Sequence, residues 1–355
     1  MLDKAFSLKA TFMEGKNKIY NQELLSDPEL LNSKIGAQLI DNYTMTNPEE
    51  ACECLVKAFG SAPAELIANI DEYRSGLVFT LSRLCFNKST FERAAWLMLR
   101  FAATEQGDSY SYGKMGLVKL FFPRLGATEA DLMVRLQFIG QCAKKAGYDN
   151  EVLKMLSACL SFQVAYLHDG TERLDDRTMA PYSPQPKEIH EYVEKSIELL
   201  VGYNGTALRE KAEAIIGDHF IEVCREGLAD VVLPRVEEIC KKRKNRWDTM
   251  LDNLLMFKND MKGRMSPELY ERYKGLIVAL SSDDFEFRFK RVEKELYASP
   301  SRFSTEKLMS EQRARYKALG EEFCDRQLFT QELLGALYAT EVISTSPFGL
   351  SLIHI

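Results

Sequence analysis

Several signatures that would assign a function are missing from this sequence. Its most apolar long segment, Lys88 to Glu105, holds an uncharged run only from Ala94 to Leu99 before Arg100 interrupts it. A bilayer core of roughly 30 Å needs about 20 apolar residues in a helix, so the segment does not span a membrane. Eight cysteines stand at positions 52, 54, 85, 142, 159, 224, 240 and 324, and no two form a C-x-x-C pair. Cys52 and Cys54 would point to different sides of a helix, which disfavours a shared metal. Reduced, buried thiols in a cytoplasmic chain are the expectation, and nothing in Met1 to Tyr20 reads as a signal peptide.

Catalytic and nucleotide motifs are missing too. A phosphate loop needs glycines ahead of its lysine and a hydroxyl behind it. The nearest string, Met13 to Lys18, has Gly15-Lys16 alone. Zinc-hydrolase and nucleophile-elbow motifs do not occur. Of the four histidines, His219 lies one helical turn from Glu222, and His168 precedes the acids Asp169, Glu172, Asp175 and Asp176. The first pairing reads as an ordinary contact, and the second lacks the spacing of a calcium loop. No catalytic residue, metal ligand or cofactor is therefore expected.

What the chain does have is helix. Its 355 residues outgrow one small core, and 46% are apolar. Forty-six basic against fifty-two acidic residues give a net charge of −6, which favours protein partners over nucleic acid or anionic membrane. Within Lys88–Glu105, a 3.6-residue period puts Phe91, Ala94, Ala95, Met98, Phe101 and Ala102 on one face, with Ser89 or Thr90 as cap. Trp96, Leu97 and Leu99 lie off that stripe, so the helix is expected between two other layers. Asp27-Pro28 and Asn47-Pro48 open further helices. Thr128, with Asp131 three residues on, is expected to cap a helix carrying Leu132, Leu136, Ile139 and Ala143, which Gly147 closes. Ile189, Tyr192, Val193, Ile197 and Leu200 form another stripe. More starts fall near Thr206, Leu228, Asn245, Ser266, Asp284 and Ser304. Phe285, Phe287 and Phe289 alternate as in a strand, but Phe285, Phe289, Val292 and Leu296 also fit a helix.

The expected fold is all-α, an irregular α-solenoid of stacked antiparallel helix pairs in the manner of HEAT or tetratricopeptide arrays, with no strict repeat. A compact pair of helical domains is the alternative. The boundaries expected are an N-terminal helical block at 1–167 and an acidic, proline-bearing loop at 168–186. A C-terminal block follows at 187–345, then a tail at 346–355. The tail's end, Ser351 to Ile355, looks like a translated sequencing-adapter string.

One basic run, Lys241, Lys242, Arg243, Lys244 and Arg246, precedes Trp247. It suits a phosphate-binding patch, but cations also complement a helix C-terminus, and Trp247 fits the next helix's stripe with Met250, Leu251 and Leu254.

Three segments between Arg74 and Leu200 carry a family resemblance. Phe91, Glu92, Arg93, Ala94 and Ala95, then Leu125, Gly126, Thr128, Glu129, Ala130, Arg135 and Leu136, resemble an "ERAA" helix followed by a "GTEA"-like turn in large bacterial STAND-type NTPases. Pro184 to Leu200 resembles a following segment of that pattern. The resemblance implies the helical sensor or scaffold region of an anti-phage or stress-signalling ATPase, without its nucleotide domain. Its Tyr-Ser-rich loop, 107–116, departs from the Asn-rich loop of that pattern. A free-standing helical adaptor for protein partners is the alternative, and an enzyme using the 168–186 loop through Asp175 and Asp176 ranks third.

Overall fold

The computed structural model describes residues 22–105, 111–124, 126–163, 173–174, 177–178, 180–203, 205–243 and 247–281, with 314, 317–318 and 321–322 beyond them. The expectations placed on Met13–Lys18, on Phe285–Leu296 and on the tail lie outside these residues.

A short 3-10 turn, Leu24–Ser26, leads into α1 (Pro28–Leu31) and α2 (Lys34–Thr46). Asp27 caps α1 by accepting from the Glu29 amide, with Pro28 in the first turn. One helix was expected here, and the structure has two. The chain turns at Asn32–Ser33, and Ser33 caps α2 through the Gly36 amide. Gly36 permits that corner, because a Cβ there would lie 1.9 Å from the Leu30 carbonyl oxygen.

Then come α3 (Pro48–Phe59), α4 (Ala64–Ala68), α5 (Arg74–Phe86), α6 (Phe91–Ala103) and α7 (Tyr112–Lys119). All six residues of the expected α6 stripe are fully buried, and Leu97, Leu99 and Arg100 are buried beside them. Helix α6 packs on α3, α4, α5, α7 and α9 (Asp149–Cys159), which explains why it is apolar nearly all round. Arg100, its one buried cation, donates to the carbonyls of Phe59 and Ala62 at the end of α3.

Before α9 lies α8 (Leu132–Cys142). Its cap is Asp131, which accepts from the Val134 amide at 2.9 Å, and not Thr128. Ala143 is exposed, and the buried stripe runs instead through Leu132, Leu136, Ile139 and Cys142. Gly147 closes the turn with φ +90°.

A two-residue antiparallel rung, β1 (Arg173–Leu174) with β2 (Arg177–Thr178), sits inside the acidic loop, pairing Arg173 with Thr178 and Leu174 with Arg177. Helices α10 (Pro186–Val201), α11 (Arg209–Arg225) and α12 (Ala229–Lys242) follow. All five expected stripe residues of α10 are buried.

Side-chain pairs show how these helices stack. Asp41 of α2 accepts from Thr80 and Arg83 of α5, and Met45, a turn further on, packs against Phe86. Glu53 of α3 meets Arg93 of α6, and Phe59 meets Phe101 edge-on at 5.4 Å. Asn150 and Ser157 of α9 pair with Lys211 and His219 of α11. His190 and Glu198 of α10 pair with Asp230 and Arg235 of α12. In each set both helices advance together, so they run in the same direction. Connected pairs such as α2–α3 and α5–α6 therefore stack with like helix on like helix. The fold is all-α, and its helix packing is local in sequence.

The chain divides into two compact units, residues 1–239 and 240–355. This corrects the expected boundary at 168–186. Helix α10, which follows that loop, packs on α8 and α9, which precede it, so the loop is internal to the first unit. In the second unit α13 (Asp248–Met256), α14 (Lys258–Arg264) and α15 (Pro267–Leu280) pack together. Trp247, Met250, Leu251 and Leu254 are buried there, and the Tyr273 hydroxyl donates to the Leu254 carbonyl at 2.6 Å.

Candidate functional site

The turn that carries the family-like residues is built around a buried arginine. Arg135 has no exposed surface. Its Nε donates to the Ala130 carbonyl at 2.8 Å, Nη1 to Phe122 at 3.1 Å and Nη2 to Thr128 at 3.4 Å. Burial lowers its pKa from the usual guanidinium value. Gly126 must lack a side chain, since a Cβ would sit 2.3 Å from Arg135 Nη1 and 3.1 Å from the Phe122 oxygen. The Thr128 hydroxyl donates to the Phe86 carbonyl at 3.2 Å and accepts from the Ala130 amide at 3.0 Å. The Glu129 amide also donates to Phe86, at 2.8 Å. The Thr128 carbonyl takes a second donor, the Tyr182 amide at 2.9 Å.

Tyr192 adds to the knot. It donates to the Phe121 carbonyl at 3.0 Å and accepts from the Cys159 thiol at 3.0 Å. Burial raises both groups, Tyr192 well above the usual phenol and Cys159 to about 11. Gly126, Thr128, Glu129 and Arg135 are therefore brought together, and the Arg135 guanidinium, the Thr128 hydroxyl and the Glu129 amide bond backbone atoms within the fold. A cation meeting carbonyls alone, with no solvent access, fixes a loop and does not present a ligand site. Glu92 and Arg93 stand apart on α6, where Glu92 is exposed and Arg93 reaches Glu53 of α3 at 3.6 Å.

Of the basic run, Lys241 and Lys242 are exposed at the end of α12, and Arg243 stacks over Trp247 at 4.9 Å. Lys244 and Arg246 lie outside the described residues, as do Asp175 and Asp176.

Sequence reasoning paired His219 with Glu222 but missed Ser157. The Ser157 hydroxyl lies 2.8 Å from His219 Nε2, and His219 Nδ1 lies 3.4 Å from Glu222. Glu222 accepts from the Phe162 amide at 2.6 Å. The order is that of a nucleophile, a base and an orienting carboxylate. Ser157, however, sits near the C-terminal end of α9, where the backbone amides are spent in the helix and its last turn and the carbonyls face outward. A developing oxyanion would meet the negative end of the dipole, so the chain of bonds serves to join α9 to α11. Ser157 and His219 are 62 positions apart. Only the like-on-like stacking of α9 and α11 brings them together.

A cleft of about 490 Å³ lies where α3 and α6 begin, lined by Pro48 together with Thr46, Asn47, Glu49, Asn87, Lys88 and Ser89. Among the described residues no three histidine, cysteine or acidic side chains converge as a metal site would require.

The exposed apolar surface is of another kind. Phe79 of α5 is 46% exposed, and Tyr112 and Met115 of α7 are 71% and 41% exposed. Among the described residues the other exposed large hydrophobes, Leu24, Ile35, Met256 and Val278, each stand alone on their element. Helices α5 and α7 touch, and a Cβ on Gly116 would lie 3.4 Å from the Ser82 hydroxyl. Phe79 is one turn before Ser82 on α5, and on α7 Tyr112 is one turn before Gly116 with Met115 one turn after Tyr112, so the exposed apolar side chains of the two helices lie beside this contact. Glu105 fixes the start of α7 by accepting from the Gly113 and Lys114 amides at 2.9 and 3.0 Å, and it lies 3.6 Å from Arg74 at the start of α5. Arg83 stacks over Phe79 at 4.2 Å and pairs with Asp41, which holds the ring in place.

No protein-family model, curated protein or solved structure matches the chain. Among the described residues no helix is long and apolar enough to cross a membrane.

Proposed function

We propose that the chain is a non-catalytic sensor or scaffold segment that recognises a protein partner on the α5–α7 face. The observation that carries this reading is the grouping of Phe79, Tyr112 and Met115 on two touching helices, exposed while α6 beneath them is closed on nearly every side. A contiguous apolar face held in place by Arg83 and Glu105 suits a protein surface. The like-on-like stacking supports reading the first unit as an irregular solenoid, whose flank is the usual recognition surface of such arrays. The resemblance of the Phe91–Ala95 and Gly126–Leu136 segments adds a setting, a cytoplasmic STAND-type signalling ATPase of the anti-phage kind, in which this region senses a trigger or scaffolds assembly. A free-standing adaptor would use the same face, and a phosphate loop in the same reading frame upstream would separate the two.

Proximity labelling in the native host tests the reading, comparing the intact protein with a Phe79→Ser, Met115→Ser variant of equal thermal stability. The expected result is a protein partner, or a second copy, labelled by the first and lost from the second. Identical labelling by both, or labelling of neither partner nor self, would overturn it.

A further inference from the structure

The charge around the exposed apolar face narrows what docks there. Neither α5 nor α7 carries a single acidic residue, in a chain whose net charge is −6. Phe79 is followed one turn later by Arg83, and Met115 one turn later by Lys119. The side-by-side approach of Ser82 and Gly116 sets these two steps next to each other, an apolar pair followed by a basic pair. Gly116 lets α7 sit close, since a Cβ there would lie 3.3 Å from the buried Met98 of α6 and 3.4 Å from the Ser82 hydroxyl of α5, so the two helices meet without a side chain between them. Carboxylates reach two of the cations from neighbouring segments, Asp41 to Arg83 and Glu105 to Arg74, and the Lys114 ammonium donates to the Glu105 main-chain carbonyl at 2.9 Å. Asp71 and Glu72 are exposed just ahead of α5, so the face runs from acidic to basic along its length.

We infer that this face binds an amphipathic helix of a partner protein, with apolar anchors set against Phe79, Tyr112 and Met115 and carboxylates one turn further on, against Arg83 and Lys119. Two touching helices that leave one face uncovered accept a third by ridge-into-groove packing, with anchors at i, i+3, i+4 and i+7. The apolar pair supplies most of the affinity and the cations set orientation and discriminate against basic helices. A partner helix docked in the opposite direction would bring its carboxylates toward Asp71 and Glu72, so the charge gradient fixes its polarity.

This inference rests on the protein-recognition reading, and its test separates the two. A display library of 18-residue helical peptides, with fixed i, i+3, i+4, i+7 leucines and Glu, Lys or Gln randomised at flanking positions, is selected on the intact chain. Winners are then titrated against Phe79→Ser, Met115→Ser and Lys119→Glu variants whose thermal midpoints match the parent. The expected winners carry glutamates on one flank, lose affinity about tenfold or more on Phe79→Ser or Met115→Ser, and lose several-fold on Lys119→Glu. Lysine-flanked winners, or winners indifferent to all three variants, would overturn the helix proposal while leaving protein recognition at another face standing. Enrichment of nothing would count against both.

Discussion

Two places in the first unit invert the usual distribution of polarity. At Arg135 a charge lies inside, and on α5 and α7 large apolar side chains lie outside. Every nitrogen of the buried guanidinium has found a carbonyl within the fold. Phe79, Tyr112 and Met115 have found only partial cover. The first anomaly is resolved within the chain, and so it reports on stability. The second is left for another molecule, and so it reports on function. Family-like residues drew attention to the Arg135 turn, whereas Tyr112 and Met115 of the α5–α7 face lie in the 107–116 stretch that departs from that pattern.

The comparison breaks most sharply at the arginine. Arg135→Met should strip the carbonyls of Ala130, Phe122 and Thr128 of their donor and cost about 3–5 kcal/mol, read as a lower urea midpoint. Arg135→Lys should recover little, because an ammonium cannot span three divergent acceptors. A loss under about 1 kcal/mol would show that the turn does not depend on it.

Alkaline titration is the next test. Burial raises the thiols of Cys52 and Cys159 to about 11 and of Cys142 to about 12. Their stabilising contribution is full below the unfolded thiol value near about 8.5 and is lost as pH rises toward those folded values. Each thiol that ionises only in the unfolded chain removes about 1.4 kcal/mol per pH unit, so the urea midpoint should fall steadily from about pH 9 upward. Alanine at the three positions should lessen that fall without abolishing it, because burial also raises the Cys85 and Cys224 thiols, and a midpoint unchanged to pH 10.5 would contradict the burial.

Gly126→Ala should cost about 1–3 kcal/mol, because the new methyl displaces Arg135 from its place. His219→Ala should cost about 1 kcal/mol by unlinking α9 from α11, with no loss of any hydrolytic activity. At the small end, Phe79→Ser and Met115→Ser should change stability by no more than about 0.5 kcal/mol each. That last result separates the two regions most cleanly, since substitutions damaging to binding would leave folding intact.

Much of the fold was legible because helical periodicity and caps are local. The α6 and α10 stripes follow from spacing alone, and the Asp27-Pro28 start is a two-residue signal. Thr128 misled because a hydroxyl before an acid looks like a cap, while here it serves the turn and Asp131 does the capping. The unit boundary misled because a long loop suggests separation, yet α10 returns to α8 and α9. The Ser157–His219 contact and the α5–α7 face were not legible. Both depend on which helices lie side by side, and Phe79 within α5 reads as one more core phenylalanine until its neighbours are known.

Amide hydrogen exchange on the intact protein, with and without the tightest glutamate-flanked helix, tests the central claim most directly. Slowed exchange confined to α5, α7 and the turn around Glu105 is the predicted result. Protection falling instead on Lys241–Arg243, on the α9–α11 seam or on no segment would contradict it.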